Sequence, residues 1–335
     1  MLAASESTTV PLSESPTHAV RFLRGGHVES VHRVLGVIAR EDGAVLAGSE
    51  RGGAEWPLFL RSLAKPFQAL VAVEAGVMER FGLDERHLAA ACGTHSTSED
   101  FMQRVRELLA ACGAKVADLR CGCPPGVERG LGALAHTCAA NHALMLALCR
   151  LKGWSTGDYL EPEHPAQWLV DGWMRANVKT EFTTAVDGCG MPAYRMPLAE
   201  LARLYARLVG GGLGAAGKRV ALAMSRHPKL VGGEASLDTA LMEAERGLVA
   251  KVGAEGSIVV ATEDGRALVL KVLDGAERAL EPATVHAVRG GLRFEVRSKE
   301  LERLASPAVV RLRDGAPVGG CEVSLGWCVP AAPGT

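Results

Sequence analysis

The sequence contains no hydrophobic run long enough to cross a bilayer. Its longest apolar stretches, such as residues 143–149, are far shorter than the roughly 20 residues that a membrane helix needs. The first 20 residues, rich in Ser, Thr and Pro, have neither a basic segment nor a long apolar segment, so a secretory signal is not expected. The sequence therefore predicts a protein without membrane association.

An excess of charge of one sign is also missing. The 37 Lys and Arg residues nearly balance the 38 Asp and Glu residues, and the formal net charge is −1. No basic stripe with interleaved aromatic residues occurs, and aromatic residues make up only 4% of the chain. Nucleic-acid binding is therefore excluded as an expectation, and a small-molecule partner is favoured.

The nine cysteines include no Cys-x-x-Cys pair. This absence excludes a zinc ribbon and a thioredoxin-like motif. An odd number of cysteines without a signal peptide indicates free thiols in a reducing compartment, so we expect a cytoplasmic protein.

Strand patterns lie at both ends of the chain and helical patterns in the middle. Alternating apolar residues predict a strand over 28–40, a turn at Asp42-Gly43 and a returning strand over 45–48. Further strands are predicted over 257–262, 267–273 and 320–323, the first two joined by a turn at Glu263-Asp264-Gly265. The pattern indicates an α+β fold in which strands from both ends share one sheet.

The region between residues 83 and 208 is predicted to be mostly helical. It includes predicted helices over 98–109, 137–151 and 198–209, the last ending at Gly210-Gly211-Gly212. The following segment around His227-Pro228 is interpreted as a loop after a strand.

The domain organisation predicted from these patterns is a disordered tail over residues 1–20 and one catalytic unit over 21–332. Within that unit, a sheet lobe would comprise residues 21–85 and 215–332, and a helical lobe residues 86–214. No internal repeat or further linker interrupts it.

The segment Arg61-Ser62-Leu63-Ala64-Lys65-Pro66 carries the clearest chemical signal. Ser62 in the first turn of a helix would place Lys65 on the same face, because side chains at i and i+3 are neighbours. A partly desolvated lysine can take the proton of a serine nucleophile. The pattern is that of the Ser-x-x-Lys enzymes, namely serine β-lactamases and penicillin-binding proteins.

Three other stretches allow two interpretations each. The run from Lys251 to Gly256 is either a surface turn or a close backbone approach to a ligand, with Lys251 as a second amine in the site. The run from Thr94 to Ser98 is either a helix cap or the source of a second substrate-facing hydroxyl. Cys138 and Cys189 are either inert buried thiols or a pair that binds zinc or forms a disulfide.

Taken in order, these stretches resemble the rhizobial-type L-asparaginases, the asparaginase II family. The matching segments, which span roughly residues 24–260, are Arg24 with Val28-Glu29-Ser30-Val31-His32, the Ser62 segment, Thr94-His95-Ser96, Cys138 with His142, Asp187 to Pro192, Arg226-His227-Pro228 with Val231-Gly232, and Lys251 to Gly256. Each match alone is weak, but seven in the same order are specific.

The resemblance implies a β-lactamase- and penicillin-binding-protein-like α+β fold, also shared by glutaminases, a homodimer, and hydrolysis of L-asparagine to L-aspartate and ammonia. It places one Ser–Lys pair on Ser62 and Lys65 and the second pair on Thr94 and Lys251. We further expect three substrate-binding residues, which are Arg61, His95 and Glu255. The chemistry itself requires no cofactor.

The resemblance also implies a zinc ion held by two cysteines and a lysine. The cysteines fall on Cys138 and Cys189, whereas Asn141 stands where the family has its lysine. Thr94 likewise replaces the serine of the second pair, which adds a methyl group that restricts the hydroxyl.

Two other functional classes remain open from the sequence. One is a β-lactamase-like serine hydrolase that acts on another amide. The other is a non-catalytic homologue that binds a metabolite or a metal, an interpretation suggested by Thr94 and Asn141.

Overall fold

The computed structural model describes residues 18–49, 52–94, 98–124, 126, 131–295 and 297–327. The predicted tail over 1–20 lies almost entirely outside the described residues. Cys328 also lies outside them. The division into two lobes stays a prediction.

A seven-stranded antiparallel sheet joins the two ends of the chain. Across the sheet the strands are β12 (Gly320–Leu325), β1 (His18–Arg24), β2 (His27–Arg40), β9 (Arg266–Val272), β8 (Ser257–Thr262) and β7 (Leu248–Gly253), with β3 (Val45–Gly48) paired to β2. The predicted sharing of one sheet by N- and C-terminal strands is confirmed.

The 14-residue strand β2 connects the two halves of this sheet. Its first half pairs with β1, in a register that places Val20 opposite His32. Its second half pairs with β9, with Val37 opposite Val269. Because both Val37 and Val269 are fully buried, the centre of the sheet is a hydrophobic layer covered on its faces.

A second, three-stranded sheet has two of its strands within the region predicted to be mostly helical. Its order is β4 (Pro57–Phe59), β6 (Pro192–Pro197) and β5 (Thr183–Val186), all antiparallel. The sequence prediction missed these strands because they are short and are flanked by proline and glycine. A third pair consists of β10 (Val310–Arg311) and β11 (Pro317–Val318).

Twelve α-helices occur in the described part of the chain. They are α1 (Lys65–Glu74), α2 (Val77–Phe81), α3 (Glu85–Cys92), α4 (Glu99–Ala111), α5 (Ala139–Lys152), α6 (Pro165–Asn177), α7 (Leu198–Gly210), α8 (Gly214–Arg226), α9 (Pro228–Val231), α10 (Leu237–Ala244), α11 (Glu277–Ala287) and α12 (Lys299–Ala305).

Most of the predicted helices are confirmed, and one strand prediction is wrong. Ser98 caps α4 by accepting the Phe101 N–H at 3.2 Å, and α5 is buried from Ala139 to Cys149. The segment before His227-Pro228 is helix α8, not a strand. Its apolar residues Val220, Ala223 and Met224 are buried at helical spacing, and so short an apolar run does not by itself distinguish a helix from a strand.

The helices bury one continuous core with the main sheet. Helix α7 packs against β2, β8 and β9, while α11 packs against β1, β9 and β12. Helix α1 lies among α3, α5, α6 and α8, and the turn that precedes it contacts both β7 and β6. The start of α1 is therefore held between the two sheets.

Among the residues described, we find no helix with the length and hydrophobicity needed to span a membrane.

Gly93, which ends α3, has no space for a side chain. A Cβ atom there would lie 2.3 Å from the Leu230 carbonyl oxygen and 3.0 Å from the Ala90 carbonyl oxygen. We therefore expect Gly93→Ala to lower the free energy of unfolding by about 1–3 kcal/mol, measured by urea denaturation. Gly172→Ala is the matched control: Gly172 lies within α6 with nothing near its Cβ position, so a gain of up to about 1 kcal/mol is expected. Equal stability changes in the two variants would contradict the steric role of Gly93.

Candidate active site

Ser62 lies in a separate turn before α1. A single turn of 3₁₀ helix, Arg61–Ala64, precedes the α-helix, which begins only at Lys65. The prediction that Ser62 occupies the first turn of the α-helix was therefore wrong. Pro66 explains the boundary, because its ring suits the first turn of a helix. Residues i and i+3 are in line in a 3₁₀ turn, so Ser62 and Lys65 still share one side of the chain.

Arg61, directly before Ser62, has a left-handed backbone with a φ of 48°. Such a conformation is strained for a residue with a side chain. The Arg61 Nε donates to Asp187 Oδ1 at 2.6 Å, and Asp187 also accepts the Gly188 N–H. This ion pair connects the strained turn to the β5–β6 connection and stabilises the Arg61 conformation.

Lys65 is buried, and its amine contacts two chain segments. Its Nζ donates to the Gly93 carbonyl oxygen at 2.6 Å and to the Thr137 carbonyl oxygen at 3.0 Å. The Gly93 carbonyl follows α3, and the Thr137 carbonyl precedes α5. The two bonds hold the amine at the meeting point of α1, α3 and α5.

Lys251 is a fully buried residue of β7, whereas Ala254-Glu255-Gly256 at the end of its run form a turn in which Glu255 is exposed. The surface-turn interpretation therefore holds for the end of the run and not for Lys251. Its Nζ donates to the Val252 carbonyl oxygen at 2.7 Å and lies 3.6 Å from Asp238 Oδ2. Burial lowers the pKa of Lys251 to about 8, and the positive charge of Lys65 acts in the same direction, while Asp238 opposes it. The two predicted lysines therefore lie close enough to influence each other.

Thr94 follows Gly93 and is fixed by its backbone. Its N–H donates to the Val231 carbonyl oxygen at 2.9 Å, which joins the end of α3 to α9. Its Oγ1 is buried without a hydrogen-bond partner among the described residues. A buried hydroxyl without a partner is costly, so this atom is suited to contact a group that enters the site.

An open cleft of about 580 Å³ begins beside the Ser62 turn. It brings together two of the predicted substrate-binding residues, Arg61 and Glu255. The cleft adds two charged residues that the sequence interpretation did not assign to the substrate, Asp187 and Lys271. Its full lining is Pro57, Leu58, Phe59, Arg61, Ala185, Val186, Asp187, Gly188, Ala193, Ala254, Glu255, Ser257 and Lys271. The third predicted substrate-binding residue, His95, lies outside the described residues.

The tertiary structure brings the thiols of Cys138 and Cys189 together. Cys138 occupies the N-cap position of α5, and Cys189 lies in the connection between β5 and β6. A hydrogen bond from Cys189 lowers the pKa of the Cys138 thiol, and Lys65 and His136 lower it further. The same contact, together with burial, raises the pKa of Cys189. These opposite directions favour the thiolate form at Cys138, whose charge Lys65 stabilises.

The residues around this pair do not complete a zinc site. In the portion of the chain that the structure describes, no group of three His, Cys, Asp or Glu side chains could hold a metal. The Asn141 amide donates to the Ala91 carbonyl oxygen at 3.4 Å, so it contacts α3. Protein zinc sites usually have three or four strong ligands. Two thiols alone fall short of that set.

Asp238 is a further buried residue of the site that the sequence interpretation missed. It is 1% exposed and contacts Lys251. Its position in the first turn of α10, after the cap residue Ser236, predicts only a solvent-facing acid at a helix start. No local signal distinguishes it from such an acid.

Comparison with known families gives one match to the chain. The family described as L-asparaginase II matches residues 20–323. A comparison with curated protein sequences found no match.

Solved structures give matches of low similarity. One is the native form of Mglu in 4.3 M NaCl, with 15% identity, 84% of this chain and 66% of that chain covered, and a TM-score of 0.38. A probable glutaminase, ybaS, has 18% identity, coverages of 78% and 86%, and a TM-score of 0.37. EstCE1, a hydrolase with promiscuous acyltransferase activity, has 11% identity, coverages of 81% and 93%, and a TM-score of 0.39. The chain spans slightly less than two thirds of the Mglu structure.

The lowered pKa of Cys138 predicts a thiolate in the metal-free protein at neutral pH. Ultraviolet absorbance should show a thiolate signal that Cys138→Ser removes. Cys189→Ala should move the titration of Cys138 to higher pH, because the hydrogen bond that stabilises the thiolate is lost. Cys149→Ser is the control and should change nothing, since burial raises the pKa of Cys149 to about 12. A Cys138→Ser variant with unchanged absorbance would refute the assignment.

Proposed function

The chain belongs to the L-asparaginase II family, a family of amidohydrolases, and from this membership we propose that it hydrolyses the side-chain amide of L-asparagine to L-aspartate and ammonia. The observation that carries the proposal is the meeting of two buried lysine amines, Lys65 and Lys251, behind the turn that holds Ser62. Two basic groups beside one hydroxyl can serve the two proton transfers of amide hydrolysis.

In the proposed first step, Ser62 Oγ attacks the amide carbon of the substrate and Lys65 accepts the hydroxyl proton. The new C–O bond gives a tetrahedral intermediate whose oxyanion is held by backbone N–H groups near Ser62, each donor contributing about 3 kcal/mol. The C–N bond then breaks. Thr94 and Lys251 relay a proton to the departing nitrogen, which leaves as ammonia.

The second step hydrolyses the resulting ester. A water molecule loses a proton to Lys251, which replaces the proton given to ammonia, and attacks the acyl carbon. The C–O bond to Ser62 breaks, and Lys65 returns to Ser62 Oγ the proton that it accepted in the first step. L-Aspartate leaves, so the net reaction consumes one amide and one water. A pKa of about 8 suits Lys251 to this role, because it can take and return a proton near neutral pH.

The proposed substrate position lies in the cleft beside Arg61. Arg61 would bind the α-carboxylate, a group that guanidinium recognises well, while Glu255 in the lining of the same cleft would contact the α-ammonium group. His95 is retained in the proposal as a third substrate contact. Because the described residues do not complete a zinc site, no step involves a metal.

The test is ammonia release by the purified protein, with L-asparagine, L-glutamine and D-asparagine in parallel. Turnover of L-asparagine alone would support the proposal. Ser62→Ala should lower that rate by at least about 10³-fold without unfolding the chain, because the nucleophile is lost. The control is Ser225→Ala, whose half-buried hydroxyl only bonds the Leu222 carbonyl oxygen in α8.

A Ser62→Ala variant that retained more than about a tenth of the rate would exclude Ser62 as nucleophile. Absence of ammonia from all three substrates, together with acylation of Ser62 by a β-lactam, would instead favour a serine hydrolase for another amide. Tight binding of L-asparagine without turnover would favour a non-catalytic homologue.

Thr94→Ser is expected to retain or raise the activity. The hydroxyl remains, and loss of the methyl group frees its rotamers in a site where the Thr94 Oγ1 has no partner among the described residues. Steady-state kinetics with L-asparagine measures this effect. Complete inactivation by so small a change would show that Thr94 acts through something other than its hydroxyl.

A further inference from the structure

Asp238 is a buried carboxylate that the proposed proton transfers do not use. It lies in the first turn of α10 and is 1% exposed. An isolated carboxylate away from water is very costly, so its contacts must compensate the burial.

Both carboxylate oxygens of Asp238 are engaged. Oδ1 accepts the Ser236 hydroxyl at 2.6 Å and the Thr239 N–H at 3.1 Å. Oδ2 accepts the Val252 N–H at 3.1 Å and lies 3.6 Å from the Lys251 Nζ. One oxygen is thus fixed within α10, and the other is directed at β7.

The absence of a side chain at Gly232 makes room for the carboxylate. A Cβ atom on Gly232 would lie 2.0 Å from Asp238 Oδ1 and 2.1 Å from the Ser236 Oγ. Gly232 ends α9, whose last residue, Val231, accepts the Thr94 N–H. The carboxylate therefore lies in a close-packed junction of α9, α10 and β7.

On the basis of the proposed function, we propose that Asp238 is a positioning residue that holds the Lys251 amine and stabilises its protonated form. Lys251 can then deliver a proton to the departing ammonia as well as accept one from water.

The charges that face Lys251 support this role. Asp238 on α10 opposes the effects of burial and of Lys65 on α1, both of which lower the pKa of Lys251. Cys92 on α3 also faces Lys251, but burial raises its pKa to about 12, so it is a neutral thiol. The Tyr205 hydroxyl on α7, which faces Asp238 and Cys92, is likewise neutral because burial raises its pKa. Asp238 is therefore the negative charge that retains the proton.

The test is the titration of Lys251 in Asp238→Asn, a substitution that keeps the shape of the side chain and an oxygen for the Val252 N–H. Lysine side chains labelled with ¹³C are observed by NMR across pH, and the Lys251 signal is assigned with Lys251→Met. The wild-type signal should titrate near pH 8. In Asp238→Asn we expect the midpoint to fall by about one pH unit or more, because the opposite charge is lost.

The pH profile of kcat/KM gives the second measurement. Its limb assigned to Lys251 should move to lower pH in Asp238→Asn, while kcat falls because the proton for ammonia is less available. The matched control is Asp264→Asn in the β8–β9 turn, where the carboxylate bonds Thr262 and Arg266. That variant should move neither the lysine signal nor the profile.

The outcomes separate the two proposals. An unchanged Lys251 midpoint in folded Asp238→Asn would overturn the positioning role, whether or not the enzyme is active. A shifted midpoint in a protein that releases no ammonia would support the Asp238–Lys251 coupling and overturn the proposed reaction. If Asp238→Asn does not fold, Gly232→Ala provides a second variant: it displaces the carboxylate without removing its charge, and a smaller fall of the midpoint is expected. No fall there would count against the proposal.

Discussion

The amines of Lys65 and Lys251 lie inside the protein. The structure of the site therefore depends on the oxygen atoms that form hydrogen bonds or ion pairs with them. Burial of an ammonium without such partners would be prohibitive. Lys65 obtains two backbone carbonyls, one after α3 and one before α5. Lys251 obtains the Val252 carbonyl and the carboxylate of Asp238. The elements that carry these oxygens are thereby fixed around the turn that bears Ser62. The contacts that hold the two lysines are thus the same contacts that pack these elements together.

Three glycines allow this arrangement to be so compact. Gly93 and Gly232 lie against backbone and side-chain oxygens that a Cβ atom would displace. Gly253, at the end of β7, would meet the Ser257 Oγ at 2.5 Å and the Leu63 side chain at 2.8 Å if it had a side chain. All three therefore mark places where α3, α9, α10, β7 and the Ser62 turn approach each other closely. This close approach is the physical reason for Gly232 and Gly253, which lie in two of the segments that resemble the family.

Access and charge are provided by elements outside this packed centre. The cleft beside Arg61 opens between residues of the small sheet and the β7–β8 turn, and neither Lys65 nor Lys251 is among its lining residues. Cys138 of the thiol pair follows Thr137, whose carbonyl oxygen accepts a hydrogen bond from Lys65, and the charge of that lysine lowers the pKa of Cys138. The Asn141 amide contacts α3.

The sequence by itself determined the features that depend on neighbouring residues and on the order of the motifs. The strands over 257–262 and 320–323, the turns at Asp-Gly, the helix caps and the Ser62–Lys65 spacing all follow from neighbouring residues, and the ordered motifs identified the family. The tertiary structure alone decided which distant groups meet. Arg61 and Asp187 are 126 residues apart, and Asp238 resembles an ordinary helix-start acid in its local sequence. Lys251 is buried because α8, α10 and the Ser62 turn pack against β7, which is an edge strand of the main sheet. The short strands β5 and β6 were missed for the same reason, since pairing and burial are contributed by remote segments and leave no periodic signal in four to six residues.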